Sequence, residues 1–529
     1  MMKSFLITAA VFFGICFLYI LFMLSSTGNY FTYILDDAYI HMAIARNFAF
    51  HGVWGVTKYI FSSSSSSPVF TCIISLLFFV FGNHTLIPLI FNIVVSCLLI
   101  AVLVKYFSFF LLHSKQVIVA CLFTLFLSVL HVQIVSGMEH VLQVFVIAVN
   151  IYCFQKWIGN GFKTSLYTYI FYCTILLLGL VRFESMFYFV SLAFVFFLIR
   201  NFKNAMLVLV IGFAPILVFG YFNVHSSGYF FPNSVVVKGT LIDFSGNVLA
   251  QIADIVLKKL ILNITFYKIG FFPLLIGMIL IYRDYKSKID FRSIVSANFL
   301  FIAFSFTLIM HCLFGEMKSI FRYEAYLLVA FCMTLIPKLL VFFEKPWSAF
   351  KAEAGIGVFI MANTIILVYK FGYAHNLITN GSANIYEQQI QSARFLHKYY
   401  NTSKVVANDI GAITYFSDIH LLDIVGLGSM EMVDFKIRKK VFDDEVEKFL
   451  SEYTRDNKYE LAVAYEEWLE GHAPKSWKKI AALEISGDNG VLGFKRVVIY
   501  SINPETRDVL IDNVKKFDWN KKVKVTIIR

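Results

Sequence analysis

Two adjacent carboxylates, Asp36 and Asp37, open the stretch "DDAYIHMAIARNFAFHGVWG", shortly after a strongly apolar N-terminal run. Paired acids near a low-dielectric boundary repel, which favours the neutral form of one of them. A carboxylate close to lipid is costly unless it has a purpose or a partner. As a general base, either acid would take the proton of an acceptor hydroxyl. Asp is also a favoured N-cap, so capping of the helix "AYIHMAIARNFA" stands beside the base reading. A divalent cation bridging Asp36 and Asp37 stays open too, although two acids without further fixed ligands form a thin set.

Other ionisable and polar residues recur where apolar runs end. These are Glu139 and His140 in "SGMEHVLQ", Arg182 and Glu184 in "GLVRFESMF", Asn233 and Lys238 in "PNSVVVK", and Arg322 and Glu324 in "IFRYEAYLL". His41 and Arg46 follow the acid pair. Any one of them is an ordinary interfacial anchor, but several on one side describe a polar cavity cut into a membrane surface. Acids with cations suit transfer from a phosphate-linked donor, with a base for the acceptor and positive charge for the leaving phosphate. A phosphate monoester leaves readily, so one base opposite it suffices for single displacement with inversion.

The elements that position these residues follow from composition. The chain has 529 residues, 59% hydrophobic, 18% aromatic and 15% charged, a balance that a soluble domain cannot bury. Net charge is +12, but the basic residues sit in short links between apolar runs: Lys105 and Lys115, Lys156 and Lys163, Arg200 and Lys203, and Arg283 to Arg292. That is positive-inside topology, not a nucleic-acid footprint. All eight cysteines lie in apolar segments without a CxxC, which argues against a disulfide framework or structural zinc.

Twelve apolar runs begin at residue 4 and end at 373, and with the topology they predict a mostly α, polytopic bundle of 11–13 spans over 1–375. The N-terminal run reads as a retained span with its N-terminus inside. The first outer loop, 27–67, would hold one or two amphipathic helices lying along the interface. Its "FSSSSSSPVF" reads as a flexible connector. From about 376 charges become frequent, and "KVVAND", "ELAVAY" and "FKRVVIY" read as strands between amphipathic helices near 385–399 and 443–457. Residues 376–529 are therefore expected to form a soluble α/β domain on the outer side. No dinucleotide or P-loop pattern occurs, and "GLGSME" reads as a turn.

The ordered set "LDDAYI…ARNFAFHGVWG…SSSSSPVF", "SGMEH", "VRFES", "GYFFPNSVVVK", "FRYEAYLLV" and "NDIGAITYFSDIHLLDIVGLGS" resembles bacterial C-type (GT-C) glycosyltransferases. Within them it is similar to the branch typified by the mycobacterial terminal arabinofuranosyltransferases. The resemblance runs from about residue 30 to 430. It implies a polyprenyl-phosphate sugar donor, transfer on the periplasmic or extracytoplasmic side of the bacterial inner membrane, and a catalytic acid from the first outer loop, here Asp36 or Asp37, with Asp36 the preferred of the two. By the same resemblance Arg182, Lys238 and Arg322 would hold the donor phosphate. Glu139, His140, Glu184, Asn233, His41 and Arg46 would contact substrate, the acids alternatively pairing helices. A cell-envelope glycan, such as lipopolysaccharide or another polysaccharide, is the expected acceptor; no cofactor beyond a divalent cation is implied. Two other functions fit a polytopic chain with outer loops: a flippase of lipid-linked glycans and an O-antigen-type polymerase. A transporter would more often show internal repeats and charges at mid-membrane, and a polymerase would not require the terminal domain.

Overall fold

A computed structural model describes the chain except residues 240–245, 316, 318–320, 440 and 529, and the side chain of Lys238 also lies outside the described part. Each of the twelve apolar runs forms a helix or a bent pair of helices. Six are long and apolar enough to cross a membrane: Met2–Ser26, Ile87–Phe107, His140–Gly159, Phe202–Ser227, Ile264–Lys286 and the first part of Ala354–Tyr400. Two bent pairs, Ser114–Leu127 with Leu130–Ser136 at 52° and Phe291–Ala297 with Phe299–Phe314 at 75°, raise that to eight. Pro68–Phe81, Leu166–Val181, Ser185–Leu198 and Ala325–Lys338 are shorter. The 11–13 spans expected from sequence thus become six to eight helices of crossing length among the described residues. The difference is one of length, because hydropathy registers apolar runs and not their rise. A 14-residue helix rises only about 21 Å against a hydrocarbon core of about 30 Å.

Spacing explains how the helices pack. Met2–Ser26 buries Thr8, Phe12, Cys16, Tyr19 and Met23, positions three or four apart that form one stripe. Leu6, Phe17, Leu18 and Leu21 on the other faces are exposed, as suits a surface solvated by lipid.

The loop 27–67 differs from expectation. Its helix, Asp37–His51, buries every residue from Ala38 to Ala45. It is a wedge between Pro68–Phe81 and the short helix Gly411–Phe416, not a helix lying along the interface. Ala38, Ala43 and Ala45 allow the close approach, and the helix ends at Gly52, left-handed at φ 68°. The serine run is also ordered. Ser62 to Ser65 and Ser67 are buried. The Ser62 hydroxyl accepts from the Val56 amide at 3.0 Å, and the Ser64 hydroxyl donates to the Leu427 carbonyl at 2.6 Å. Buried hydroxyls need such partners, and a free connector would not supply them.

Beyond the membrane helices lies a six-stranded sheet, with β1 Lys404–Ala407, β2 His420–Asp423, β3 Leu461–Ala464, β4 Lys478–Ile485, β5 Arg496–Ser501 and β6 Val523–Ile527. Their order is β2-β1-β3-β5-β4-β6. Strand β1 runs parallel to both β2 and β3, with Val405 opposite Leu421 and Leu461, and the other pairings are antiparallel. β3 is buried at all four positions, as a strand covered on both faces must be. The helix Ala354–Asn384 continues through a π-turn, Ile385–Ile390, into Gln391–Tyr400, so residue 376 falls inside one continuous helix.

Candidate active site

A small cleft of about 110 Å³ opens where the wedge helix, the serine run and the membrane-helix ends meet Leu427 of the sheet domain. Its polar lining is Asp37, His41, Ser64, Ser66, Arg182, Glu184, Ser234, Arg322 and Tyr323. Ile40, Met138, Phe183, Met186, Phe187, Phe314 and Leu427 supply an apolar wall.

The two neighbouring acids point to different partners. Asp37 begins the wedge helix, and its carboxylate pairs with the Arg322 guanidinium at the cleft. About a third of the Asp37 side chain remains exposed, 32% against 10% for Arg322. Asp36 is turned towards the sheet domain, where its carboxylate accepts the Gly411 amide at 2.7 Å and the Ala412 amide at 2.8 Å. It does not line the cleft, and it makes no side-chain cap to its own helix. Burial pushes Asp36 up to about 6; the Ala412 and Gly411 amides oppose that, and the charge on Asp37 adds to it. Because the two carboxylates engage separate partners, they present no common oxygen set for a divalent cation, and no step is routed through one.

A second charged group is built around Arg182. Glu139, fully buried, lies 2.5 Å from Arg182, accepts the Ser66 hydroxyl at 3.1 Å and lies 3.4 Å from His41 Nε2. Arg182 also grips Glu184 with two hydrogen bonds of 2.6 and 3.2 Å and donates towards His140 Nδ1 at 3.4 Å. His41 Nδ1 is 2.8 Å from the Thr71 hydroxyl. Of the residues selected from sequence, this unites Asp37, His41, Glu139, His140, Arg182, Glu184 and Arg322 around one cleft. Arg182, expected as a phosphate ligand, already serves two carboxylates.

Two selected residues lie elsewhere. Arg46 donates to the Tyr415 carbonyl at 2.7 Å and pairs with Asp418 at 3.3 Å. Asn233 is buried, takes the Ser63 carbonyl through its amide at 2.8 Å and donates to the Leu427 carbonyl at 3.2 Å. Both hold connecting loops to the sheet domain, and neither is among the residues that line the cleft. Lys238 ends the short helix Asn233–Lys238, its side chain lying outside the described residues, and the next residue, Gly239, lines the cleft.

Sequence reasoning passed over two carboxylates and a lysine. Asp409 receives Gln389 at 2.8 Å and lies 2.7 Å from the Tyr465 hydroxyl. Burial and then the charge on Asp36 push it up to about 8, so near neutral pH it is a protonated acid. Asp423, buried, accepts the Val425 and Gly428 amides at 2.8 and 2.7 Å and shapes the loop that presents Leu427 to the cleft. Burial pushes it up to about 6 against those amides. Both acids follow or end a strand, at "KVVAND" and "HLLD", positions where α/β sheets place functional loops. Glu324 meets Lys370 at 2.7 Å, with Lys370 fully buried. A lone lysine in the apolar run 355–373 was a readable signal.

A sequence family described only as a domain of unknown function matches residues 383–500. No curated protein matches the chain. Among solved structures, ArnT from Cupriavidus metallidurans bound to undecaprenyl phosphate aligns with a TM-score of 0.52 at 11% identity, over 94% of this chain and 98% of that one. The same protein in its apo state gives 0.50 at 13% identity, over 94% and 98% of the two chains. The apo Archaeoglobus fulgidus oligosaccharyltransferase gives 0.51 at 11% identity, over 98% of this chain and 76% of that one. The chain has the C-type glycosyltransferase fold. At such identities the likeness speaks for architecture and for no single branch.

Proposed function

We propose that this multi-pass membrane protein is a glycosyltransferase that moves a sugar from a polyprenyl-phosphate donor to a cell-envelope glycan on the outer face of the membrane. The observation that carries this reading is the Asp37–Arg322 pair at the mouth of a cleft walled by Met138, Phe187 and Phe314, in a fold shared with a protein bound to undecaprenyl phosphate. A base and a cation meet there beside an apolar surface suited to the first isoprene units.

In the reaction, the donor phosphate competes for Arg322 and so releases Asp37 from its ion pair. Asp37 takes the proton of the acceptor hydroxyl. The acceptor oxygen bonds to the anomeric carbon as the bond from that carbon to the phosphate oxygen breaks. The polyprenyl phosphate leaves with both electrons, its charge met by Arg322, and attack from the opposite side inverts the anomeric centre. Glu184, 22% exposed and fixed by Arg182, is the acceptor for sugar hydroxyls, with Ser64 and Ser66 beside it.

The test is to incubate the purified chain with a panel of polyprenyl-phosphate sugars and delipidated envelope glycan. One sugar should be consumed, with release of free polyprenyl phosphate and formation of a new glycosidic bond. Movement of the lipid-linked sugar across vesicles without a new bond would assign the chain to the flippases instead.

A further inference from the structure

Open α/β sheets bind ligands in the crevice beyond the carboxyl ends of their parallel strands, where turn amides converge. In this chain those ends are the turn after β1 (Asn408 to Gly411), the loop after β2 (Asp423 to Ser429) and Tyr465 after β3. The loop after β2 closes on its own Asp423. Tyr465 is taken by Gln388 at 2.6 Å and by Asp409. The amides after β1 are filled from outside the domain, by the Asp36 carboxylate on Gly411 and Ala412.

The fit is built from both sides. A Cβ on Gly411 would run into the Asp36 carbonyl and come within 2.8 Å of its carboxylate, so a glycine is needed for the approach. Ten residues after Asp36, on the same wedge helix, Arg46 donates to the carbonyls of Thr414 and Tyr415 at 3.3 and 2.7 Å. An anion thus takes the amides at the start of segment 411–416 and a cation takes the carbonyls near its end. One short segment of the sheet domain holds the wedge helix at both ends.

We infer that this double grip is an intramolecular clamp that aims Asp37 into the cleft, occupying the crevice in which related sheets hold a ligand. Asp36 and Arg46 are then positioning residues, and the sheet domain contributes to catalysis by orienting the reacting loop. This rests on the transferase reading for its kinetic consequence, though not for the clamp itself. Asn at position 36 keeps one acceptor oxygen but sets an NH2 against the second amide, so Asp36→Asn breaks half the contact without removing bulk.

The experiment uses the full chain in nanodiscs. Hydrogen exchange of segments 33–40 and 408–416 should rise together in Asp36→Asn, with the membrane helices unchanged, and Arg46→Gln should loosen 414–418 with 44–51. In the transfer assay both variants should lower kcat, Asp36→Asn by roughly 10²-fold as expected for a reacting group displaced by about 1 Å, while the donor KM stays constant. Full protection of both segments in Asp36→Asn overturns the clamp. So does loss of transfer as complete as in Asp37→Asn with protection intact, which would make Asp36 itself the reacting acid. The exchange arm needs no substrate and therefore decides the clamp even if the transferase reading fails.

Discussion

Arg182 and Arg322 line the same cleft and approach the same ring, at 5.0 and 5.4 Å from the Tyr323 centroid, yet they differ in charge balance. Arg182 is answered by two carboxylates, Glu139 and Glu184, and is buried. Arg322 meets Asp37, a third of whose side chain faces the cleft. A buried cation with two acids is held in place, because removing any member leaves an uncompensated charge in low dielectric. On the proposed reading the Asp37–Arg322 pair, whose acid is partly exposed, exchanges that acid for an incoming phosphate. On that reading identical side chains serve as a rivet between helices in one case and as a movable contact in the other.

The contrast breaks most visibly at Asp37. Asp37→Asn should cut transfer by about 10²–10⁴-fold, the range for loss of a general base, with unchanged thermal stability in detergent. Normal turnover in this variant ends the base assignment. Next is Arg182→Met, which leaves Glu139 and Glu184 without their cation and should destabilise the fold by about 3–5 kcal/mol, read as a lowered thermal midpoint. If midpoint and expression hold while only the donor KM rises, the two arginines act alike. Arg322→Ala should raise the donor KM by about tenfold or more, as for a lost charge-assisted contact worth about 1.5–3 kcal/mol, and leave the midpoint near wild type. The last test concerns pH. Asp409 stands at about 8 in the fold against about 3.9 in an unfolded chain. Its neutral form is favoured on folding, so its contribution is full below about pH 4, declines as pH rises, and is gone above about pH 8. Asp409→Asn should flatten the fall of the thermal midpoint between pH 5 and 8; an unchanged slope would show that Asp409 is not the group responsible.

Much of the architecture was legible because apolar runs and strand patterns report local physics. "KVVAND", "ELAVAY" and "FKRVVIY" became β1, β3 and β5, and each apolar run formed helix. The cleft was legible in part, since charged residues at the ends of membrane helices rarely lack a role, and Asp37, Glu139, Arg182 and Arg322 do converge. What sequence did not carry was partnership. Nothing in "LDD" distinguishes the acid that faces a guanidinium from the one that faces two amides 375 residues away. Nor does "FSSSSSSP" reveal that its hydroxyls are matched to the Leu427 carbonyl and Thr71. Arg46 and Asn233 were read as ligand contacts for the same reason, since a polar side chain looks alike whether its partner is substrate or backbone.

The helix from Ala354 to Tyr400 comprises 47 residues without a break, about 70 Å of rise, more than twice the hydrocarbon thickness. It works as a mast: one end adjoins the basic link 344–354 and the other carries the sheet. On the proposed reading, a sheet carried at the far end of one continuous helix leaves the incoming glycan to approach beneath its rim, laterally along the bilayer.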